Sequence, residues 1–167
     1  KIMGKHTSVN GTPLNYKVYI TDDINANASA DGSVRVYSGL MDMMTDDELR
    51  FVLGHEIGHV ALGHTLKAMR LAYTAAAARQ AAGSLNSTAN ALSDSMLGDL
   101  MEEFLNAQFS QSQELDADAY AMNFLKENNY NTAAAASSLR KLESLGSSGG
   151  FLSSHPNSGK RAEKMEE

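Results

Sequence analysis

The chain has 167 residues, 43% hydrophobic and 20% charged, a balance typical of one globular domain and not of a disordered or fibrous chain. Its formal net charge is −6 and its basic residues are scattered, so we do not expect nucleic acid as a partner. The sequence has no cysteine and no apolar run near the roughly 20 residues that span a bilayer, which excludes disulfides, thiolate ligands and a transmembrane segment.

Two short strands are predicted in the first part of the chain. Residues 16–20 alternate apolar and polar side chains, a pattern that predicts a half-buried strand. A polar loop over 21–32 separates it from a second short strand at 34–37. We expect this second strand to form the edge of a small sheet.

A helix follows these strands. Thr45 and Glu48 have the spacing of a capping box, and the acidic residues between them suit the positive end of a helix. Apolar residues then recur at the spacing of a buried helix face as far as Gly63, a plausible end; they are Leu49, Leu53, Ile57, Val60 and Ala61.

The remaining chain is predicted to be mainly helical. Residues 65–112 are rich in Ala, Ser, Asn and Gln, which favours a helical hairpin or flap. A further helix is predicted from about 102 to 127, and Thr132 is placed to cap the next one. Residues 146–167 are expected to form a Gly-rich loop, a His-Pro loop and a short terminal helix. The elements predict one mainly helical α+β domain.

The segment His55-Glu56-Ile57-Gly58-His59 carries the clearest chemical signal. Histidines four apart on a helix project from the same face, so both imidazoles can bind one zinc ion. Glu56 can reach a water on that zinc without being a ligand, as a general base requires. The alternative is a solvated helix face with two unrelated histidines.

Two glycines within the same helix, Gly54 and Gly58, also lie four apart. Each costs about 1 kcal/mol relative to alanine inside a helix, so we look for a reason to keep them. Close approach of another backbone, such as a strand or a bound peptide, would supply that reason.

A catalytic zinc needs a third protein ligand, and His64 is one candidate. On a continuous helix it would lie about 140° around the axis from His59. That angle makes His64 more consistent with an exposed cap residue, or with a residue that supports a zinc ligand, than with a zinc ligand itself.

Glu114 and Asp118 are the better candidates for completing a zinc site. They lie four apart on a predicted helix, and Ala117 and Ala121 beside them would let that helix pack close to the histidine helix. Glu114 could then bind zinc while Asp118 accepts the free N–H of a ligand histidine. The alternative is an ordinary acidic helix face, which the spacing alone favours.

Several motifs together resemble those of a known family. They are HEIGH at 55–59, ELDADAYA at 114–121, a Ser-His-Pro at 154–156 followed by Arg161, and INANASADGSVRVYSGLM at 24–41. The chain is similar in these motifs to the HtpX-like zinc metallopeptidases, gluzincins related to the CaaX prenyl endopeptidases. The resemblance implies a zincin-like catalytic domain over 1–167.

The same resemblance implies a role for each site residue. His55, His59 and Glu114 would bind one Zn²⁺, Glu56 would be the general base, and Asp118 would support a ligand. It also places His155 and Arg161 near the site, where either could donate to the oxyanion of the transition state. Alternatively His155 occupies the fourth zinc position and holds the enzyme latent, or both residues have only structural roles.

The function expected from this resemblance is zinc-dependent endopeptidase activity on unfolded or misassembled cell-envelope proteins, by Glu-assisted attack of a metal-bound water. An extended substrate would add to the edge strand 34–37, a binding mode that tolerates many sequences. The rivals are a zinc-stabilised chaperone-like or binding domain without turnover, and an interaction module built on the Ala-rich hairpin.

The resemblance also carries an expectation about location. Membrane-embedded relatives have hydrophobic spans around the active site, whereas this chain has the Ala- and Ser-rich segment 65–112. It is therefore similar to the soluble members of the family that are found in the cell envelope. We expect a periplasmic domain attached to the outer membrane as a lipoprotein, with the targeting signal absent from this segment, which opens at Lys1.

Overall fold

A computed structural model describes residues 2–83, 109–146 and 150–166. The strands are β1 (Ser8–Val9), β2 (Thr12–Pro13), β3 (Asn15–Tyr19), β4 (Ala26–Ala28) and β5 (Ser33–Tyr37). The helices are α1 (Ser38–Met43), α2 (Asp46–Ala61), α3 (His64–Gly83), α4 (Gln111–Glu127), α5 (Ala134–Glu143), α6 (Phe151–Ser154) and α7 (Ser158–Glu166). The predicted mainly helical α+β class is confirmed.

The larger sheet has three strands in the order β3-β5-β4. Strand β5 pairs in parallel with β3 and antiparallel with β4. The predicted strand 34–37 therefore exists, but the expectation that it forms an edge is wrong. Its backbone groups pair with β3 on one side and with β4 on the other, so the edges of the described sheet are β3 and β4. The shorter hairpin of β1 and β2 forms a separate two-stranded sheet.

Strand β3 is less buried than its alternating pattern predicts. Tyr16 is partly buried, but Val18 is 45% exposed and Ile20, just beyond the strand, is 89% exposed. The reason is that helix α2 packs against β4 and β5, so the end of β3 lies outside the main layer contact.

Helix α2 lies at the centre of the molecule, between the sheet on one side and helices α4 and α5 on the other. It starts with the predicted capping box, in which the Thr45 side chain accepts from the Glu48 N–H and the Glu48 carboxylate accepts from the Thr45 N–H. Burial is not confined to the predicted apolar face, because both sides of the helix are covered. Its polar residues His55, Glu56 and His59 are each at most 3% exposed.

The two helix glycines are explained by contact with α4. A Cβ on Gly58 would lie 3.2 Å from the carbonyl oxygen of Ala117, and one on Gly54 would lie 3.4 Å from the Cα of Ala121. The predicted close approach is therefore confirmed, although the partner is a helix and not a strand or a peptide. The small residues on both helices bring α4 close to the histidines.

Three boundary predictions differ from the structure. Helix α4 begins at Gln111, since Phe109 and Ser110 are not helical, and Ser110 forms a capping box with Gln113 that we did not predict. Thr132 does not cap α5; the side chain of Asn131 accepts from the N–H of Ala133 instead. The predicted hairpin or flap at 65–112 lies partly in α3, and residues 84–108 fall outside the described part.

Among the residues described, none of the helices combines the length and the apolar character needed to span a membrane.

Candidate metal centre

Four side chains from three elements converge at the centre of the molecule. One donor atom from each of His55, His59, Glu114 and His155 can be chosen so that all lie within 4.8 Å of one another. The Nε2 atom of His55 is 3.0 Å from Nε2 of His59 and 3.2 Å from Nδ1 of His155. Oε1 of Glu114 is 3.2 Å from Nε2 of His59 and 3.0 Å from Nδ1 of His155. Helices α2 and α4 thus bring the three predicted ligands together, and the segment after α6 adds a fourth donor.

Glu56 points into the same space. Its Oε1 atom lies 3.1 Å from Nε2 of His155, yet it accepts no well-formed hydrogen bond from the described residues. The residue is 3% exposed, so this oxygen is a buried acceptor without a donor. A water or a cation in the space between the four donors would satisfy it.

Asp118 and Arg161 lie behind the donors, on the side of His55. Oδ1 of Asp118 is 2.9 Å from Nδ1 of His55, so the carboxylate can accept that ring's N–H and leave Nε2 free as a donor to metal. Arg161 donates through Nε and Nη2 to Asp118, at 2.7 and 2.6 Å, and through Nη1 to Glu114. All three of its nitrogens face these two carboxylates.

Two further residues lie against His59. The first is His64, which the sequence offered as a possible third ligand, an exposed cap or a residue that supports a ligand; its Nδ1 is 3.1 Å from Nδ1 of His59. The second is Phe109, whose ring stacks on the His59 ring with centroids 3.8 Å apart and planes 25° apart. Phe109 is not among the site residues expected from the sequence.

His155 is held by an aromatic neighbour. The Phe151 ring stacks on its imidazole, with centroids 4.2 Å apart and planes 18° apart. The N–H of Phe151 in turn donates to the carbonyl of Ile24, at 3.1 Å, just before strand β4 begins. The segment that carries His155 is therefore tied to the edge of the sheet.

The electrostatics of the site favour a cation. Burial lowers the pKa of His155, but the negative charges of Glu56 and Glu114 outweigh burial and raise it to about 9. Burial, and then the positive charge of Arg161, lower the pKa of His55 well below its usual value. The carboxylates that favour a proton on His155 would equally favour a metal ion between the donors.

The residues fit a zinc ion on two counts. The donors are imidazole nitrogens and a carboxylate oxygen, the ligand types of zinc sites without cysteine. Three buried carboxylates, Glu56, Glu114 and Asp118, face one buried guanidinium, that of Arg161, which leaves two negative charges for a divalent cation to balance.

Comparison with known proteins agrees with this geometry. The profile of peptidase family M48 matches residues 3–167. The chain belongs to peptidase family M48. It is 48% identical over 160 residues to metalloprotease YcaL and to metalloprotease LoiP, both of Escherichia coli strain K12. The aligned part is 95% of this chain in each case, and 63% and 64% of the two relatives.

More distant M48 relatives extend to mitochondria. The chain is 28% identical over 173 residues to the mitochondrial metalloendopeptidase OMA1 of Bos taurus, covering 92% of this chain and 32% of that protein. It spans less than two thirds of the length of YcaL and LoiP as well. The M48 peptidases are zinc metallopeptidases, so the resemblance to metallopeptidases and the zinc cofactor predicted from the sequence are confirmed at the level of the family.

Proposed function

We propose that this domain is a zinc-dependent endopeptidase, with His55, His59 and Glu114 as the zinc ligands and Glu56 as the general base. The observation that carries the proposal is the unpartnered carboxylate oxygen of Glu56 beside three converging, buried donors. Zinc in such a site lowers the pKa of a water toward about 7 and polarises a carbonyl.

The residues of the chain supply proton transfer and positioning. Glu56 accepts the proton of the attacking water and returns it to the leaving amine, since its free oxygen faces the donors. Asp118 keeps the proton of His55 on Nδ1. Arg161 acts by holding Glu114 and Asp118 and not by contacting substrate, because its nitrogens are all directed at these carboxylates.

His155 acts as a latency ligand in this proposal. Its Nδ1 atom lies among the other three donors, so the set of four would complete a tetrahedral zinc site. A catalytic zinc needs an open position, and His155 must therefore move before a peptide can be cleaved. This position favours latency over the alternative role as an oxyanion donor.

The substrate would be an extended polypeptide that pairs with strand β4. Asn25 and Ser29 bond through their backbones to β5, at 3.0 and 2.9 Å, so by antiparallel alternation the backbones of Ala26 and Ala28 face the free edge. Both are buried as whole residues, at 2% and 5% exposed, and the N–H of Ala26 donates to the Asn25 side chain at 2.9 Å, so the proposal requires the groups that cover this edge to move aside when substrate binds. Main-chain pairing at β4 replaces the pairing first expected at 34–37.

Binding through main-chain hydrogen bonds requires the substrate to offer an extended segment. This requirement suits unfolded or misassembled proteins as substrates. We extend the proposal to substrates of the bacterial cell envelope and to a periplasmic location with lipid attachment at the outer membrane. The support for these finer points is the motif resemblance and the 48% identity to LoiP and YcaL.

The rival function is a zinc-stabilised binding domain without turnover. The four-donor set favours it, since closed sites are typical of structural zinc. The two functions differ in what they require of Glu56, because only hydrolysis needs a general base at that position.

The deciding experiment compares wild type with Glu56→Gln for zinc content and cleavage of unfolded casein. The endopeptidase proposal expects equal zinc content and loss of cleavage by at least about 100-fold in the variant. Glu163→Gln, at an exposed position of α7, is the matched control. Equal cleavage by wild type and Glu56→Gln would contradict the mechanism, and a zinc-binding wild type without cleavage, tested also as His155→Ala, would favour the binding domain.

A further inference from the structure

The two ligand histidines of α2 have different partners for the nitrogen that faces away from the donors. For His55 that partner is the carboxylate of Asp118, at 2.9 Å. For His59 the atom in the same position is a ring nitrogen of His64, at 3.1 Å. Two ring nitrogens at this distance form a hydrogen bond only when one carries a proton and the other does not.

The proton positions follow from the donor geometry. Nε2 of His59 faces Glu114 and His55, at 3.2 and 3.0 Å, so Nε2 is the nitrogen available to a metal. A neutral His59 that gives its Nε2 lone pair to metal carries its proton on Nδ1. His64 must then accept at its own Nδ1 and carry its proton on Nε2.

The ring of His59 is restrained on its face as well as at its edge. Phe109 stacks against it, which limits rotation of the ring about the Cβ–Cγ bond. Stacking cannot decide which ring nitrogen carries the proton, because an apolar ring offers no acceptor. The contact at Nδ1 is with His64, whereas Nε2 lies 3.2 Å from the Glu114 carboxylate, which in the proposed site is itself a metal ligand.

The local backbone explains how a residue five positions after His59 reaches back to it. Helix α2 ends at Ala61, and Gly63 has a φ of +74°, a left-handed conformation that side chains rarely adopt. The left-handed Gly63 interrupts the helix, and α3 begins with His64 itself. The 140° offset expected on a continuous helix therefore does not apply.

We infer that His64 is a positioning residue for the metal site, which accepts the Nδ1–H of His59 and so holds His59 in the tautomer that presents Nε2 to zinc. This inference rests on the proposed function for the identity of the metal. His64 supplies none of the four clustered donor atoms and acts through its contact with His59.

The acceptor for the His59 proton is the neutral imidazole of His64 and not a carboxylate, which has a chemical consequence. An anionic acceptor would push electron density through His59 onto the metal and weaken its ability to polarise a carbonyl. Asp118, the acceptor for His55, has its charge balanced by Arg161. Neither ligand histidine therefore bears an unbalanced anionic partner.

Two substitutions separate the hydrogen bond from packing. In His64→Asn the side-chain oxygen can stand where Nδ1 stands now and accept the same proton, whereas His64→Leu has a similar bulk and no acceptor. Zinc affinity is measured by competition with a chelator, and the unfolding midpoint of each zinc-free protein is measured in urea.

We expect His64→Leu to bind zinc about 10- to 100-fold more weakly than wild type and His64→Asn to stay within about threefold of it. The zinc-free unfolding midpoint of His64→Asn should match that of wild type. Wild-type affinity in His64→Leu, or equal weakness in both variants, would overturn the inference; an equal fall in the zinc-free midpoints of both variants would overturn it too, by assigning His64 a packing role. If wild type and His155→Ala both bind zinc but neither cleaves peptide, the proposed function is refuted and this result stands.

Discussion

Nδ1 of His155 lies 3.0 Å from Oε1 of Glu114, so a side chain from the loop after α6 lies among the donors of the α2 and α4 helices. The two residues are 41 positions apart and both are at most 2% exposed. Under the proposed function, a loop histidine held in this way would complete the coordination of a bound zinc and would keep the enzyme latent.

Replacing His155 by alanine should open the fourth zinc position while His55, His59 and Glu114 keep the metal. If a tenth of wild-type molecules have the histidine displaced, the variant should cleave casein about tenfold faster. Activity per bound zinc is the measurement. The control is Ser153→Ala, in the short helix α6 that precedes His155, and it should leave the rate unchanged. A fall in rate at full zinc occupancy would instead identify His155 as an oxyanion donor.

Replacing Arg161 by methionine should destabilise the domain severely. The change leaves the carboxylates of Asp118 and Glu114 buried without their guanidinium, which typically costs about 3–5 kcal/mol. Urea unfolding at pH 7 measures the loss. The matched control is Arg140→Met, which removes exposed ion pairs to Glu143 and Glu166 and should change stability little. Equal effects of the two substitutions would refute the role assigned to Arg161.

The buried carboxylate of Glu48 should make stability depend on pH. Burial raises its pKa, but hydrogen bonds from the Lys141 side chain, the Thr45 N–H and the Ser137 hydroxyl outweigh burial and hold the pKa at about 2. A carboxyl with a lowered folded pKa stabilises the fold above its unfolded value of 4.5 and loses that contribution as pH falls toward 2.

The change to test this is Glu48→Gln, which should lower the free energy of unfolding at pH 7 by about 2 kcal/mol. The difference from wild type should shrink between pH 4.5 and pH 2, because the wild-type carboxyl becomes protonated there. Unfolding in urea at several pH values measures both effects. A difference that stays constant down to pH 2 would show that the hydrogen bonds of Glu48 do not depend on its charge.

The close packing of α2 on α4 predicts that Gly58→Ala is more harmful than Gly54→Ala. At Gly58 the new Cβ meets Cβ of Tyr120 at 3.1 Å and the backbone oxygen of Ala117 at 3.2 Å, whereas at Gly54 it meets Cδ1 of Phe124 at 3.2 Å and backbone only at 3.4 Å, the Cα of Ala121. We expect Gly58→Ala to cost about 1–2 kcal/mol after the gain in helix propensity, and to weaken zinc binding by moving Glu114 away. Thermal unfolding and zinc competition on both variants test this, and the opposite order would contradict the packing described.

Local patterns predicted the parts of the site that lie within single helices. The capping box at Thr45 and the spacing of His55 and His59 depend only on residues close in sequence. For Glu114 and Asp118 the spacing alone favoured an ordinary acidic helix face, and the family resemblance supplied their expected roles. The glycine and alanine positions also indicated that two helices approach closely. These features are set by helix geometry, which a sequence displays directly.

Features that depend on distant contacts were not predictable in the same way. The central position of β5 follows from pairing with β3 on one side and β4 on the other, and one strand's sequence does not reveal its neighbours. The place of His64 depends on the left-handed Gly63, which interrupts the helix. Phe109 stacks on His59 while its backbone N–H donates to the carbonyl of Ser154, at 3.2 Å, a contact between segments far apart in sequence.

Arg161, in the helix α7, lies 106 residues after His55, and its guanidinium balances the carboxylates that surround the donors. A chain that ended before α7 would contain His55, His59 and Glu114 but would lack the cation that holds Glu114 and Asp118 in place. The proposed zinc site would therefore stay incomplete until the last described helix has packed onto the others.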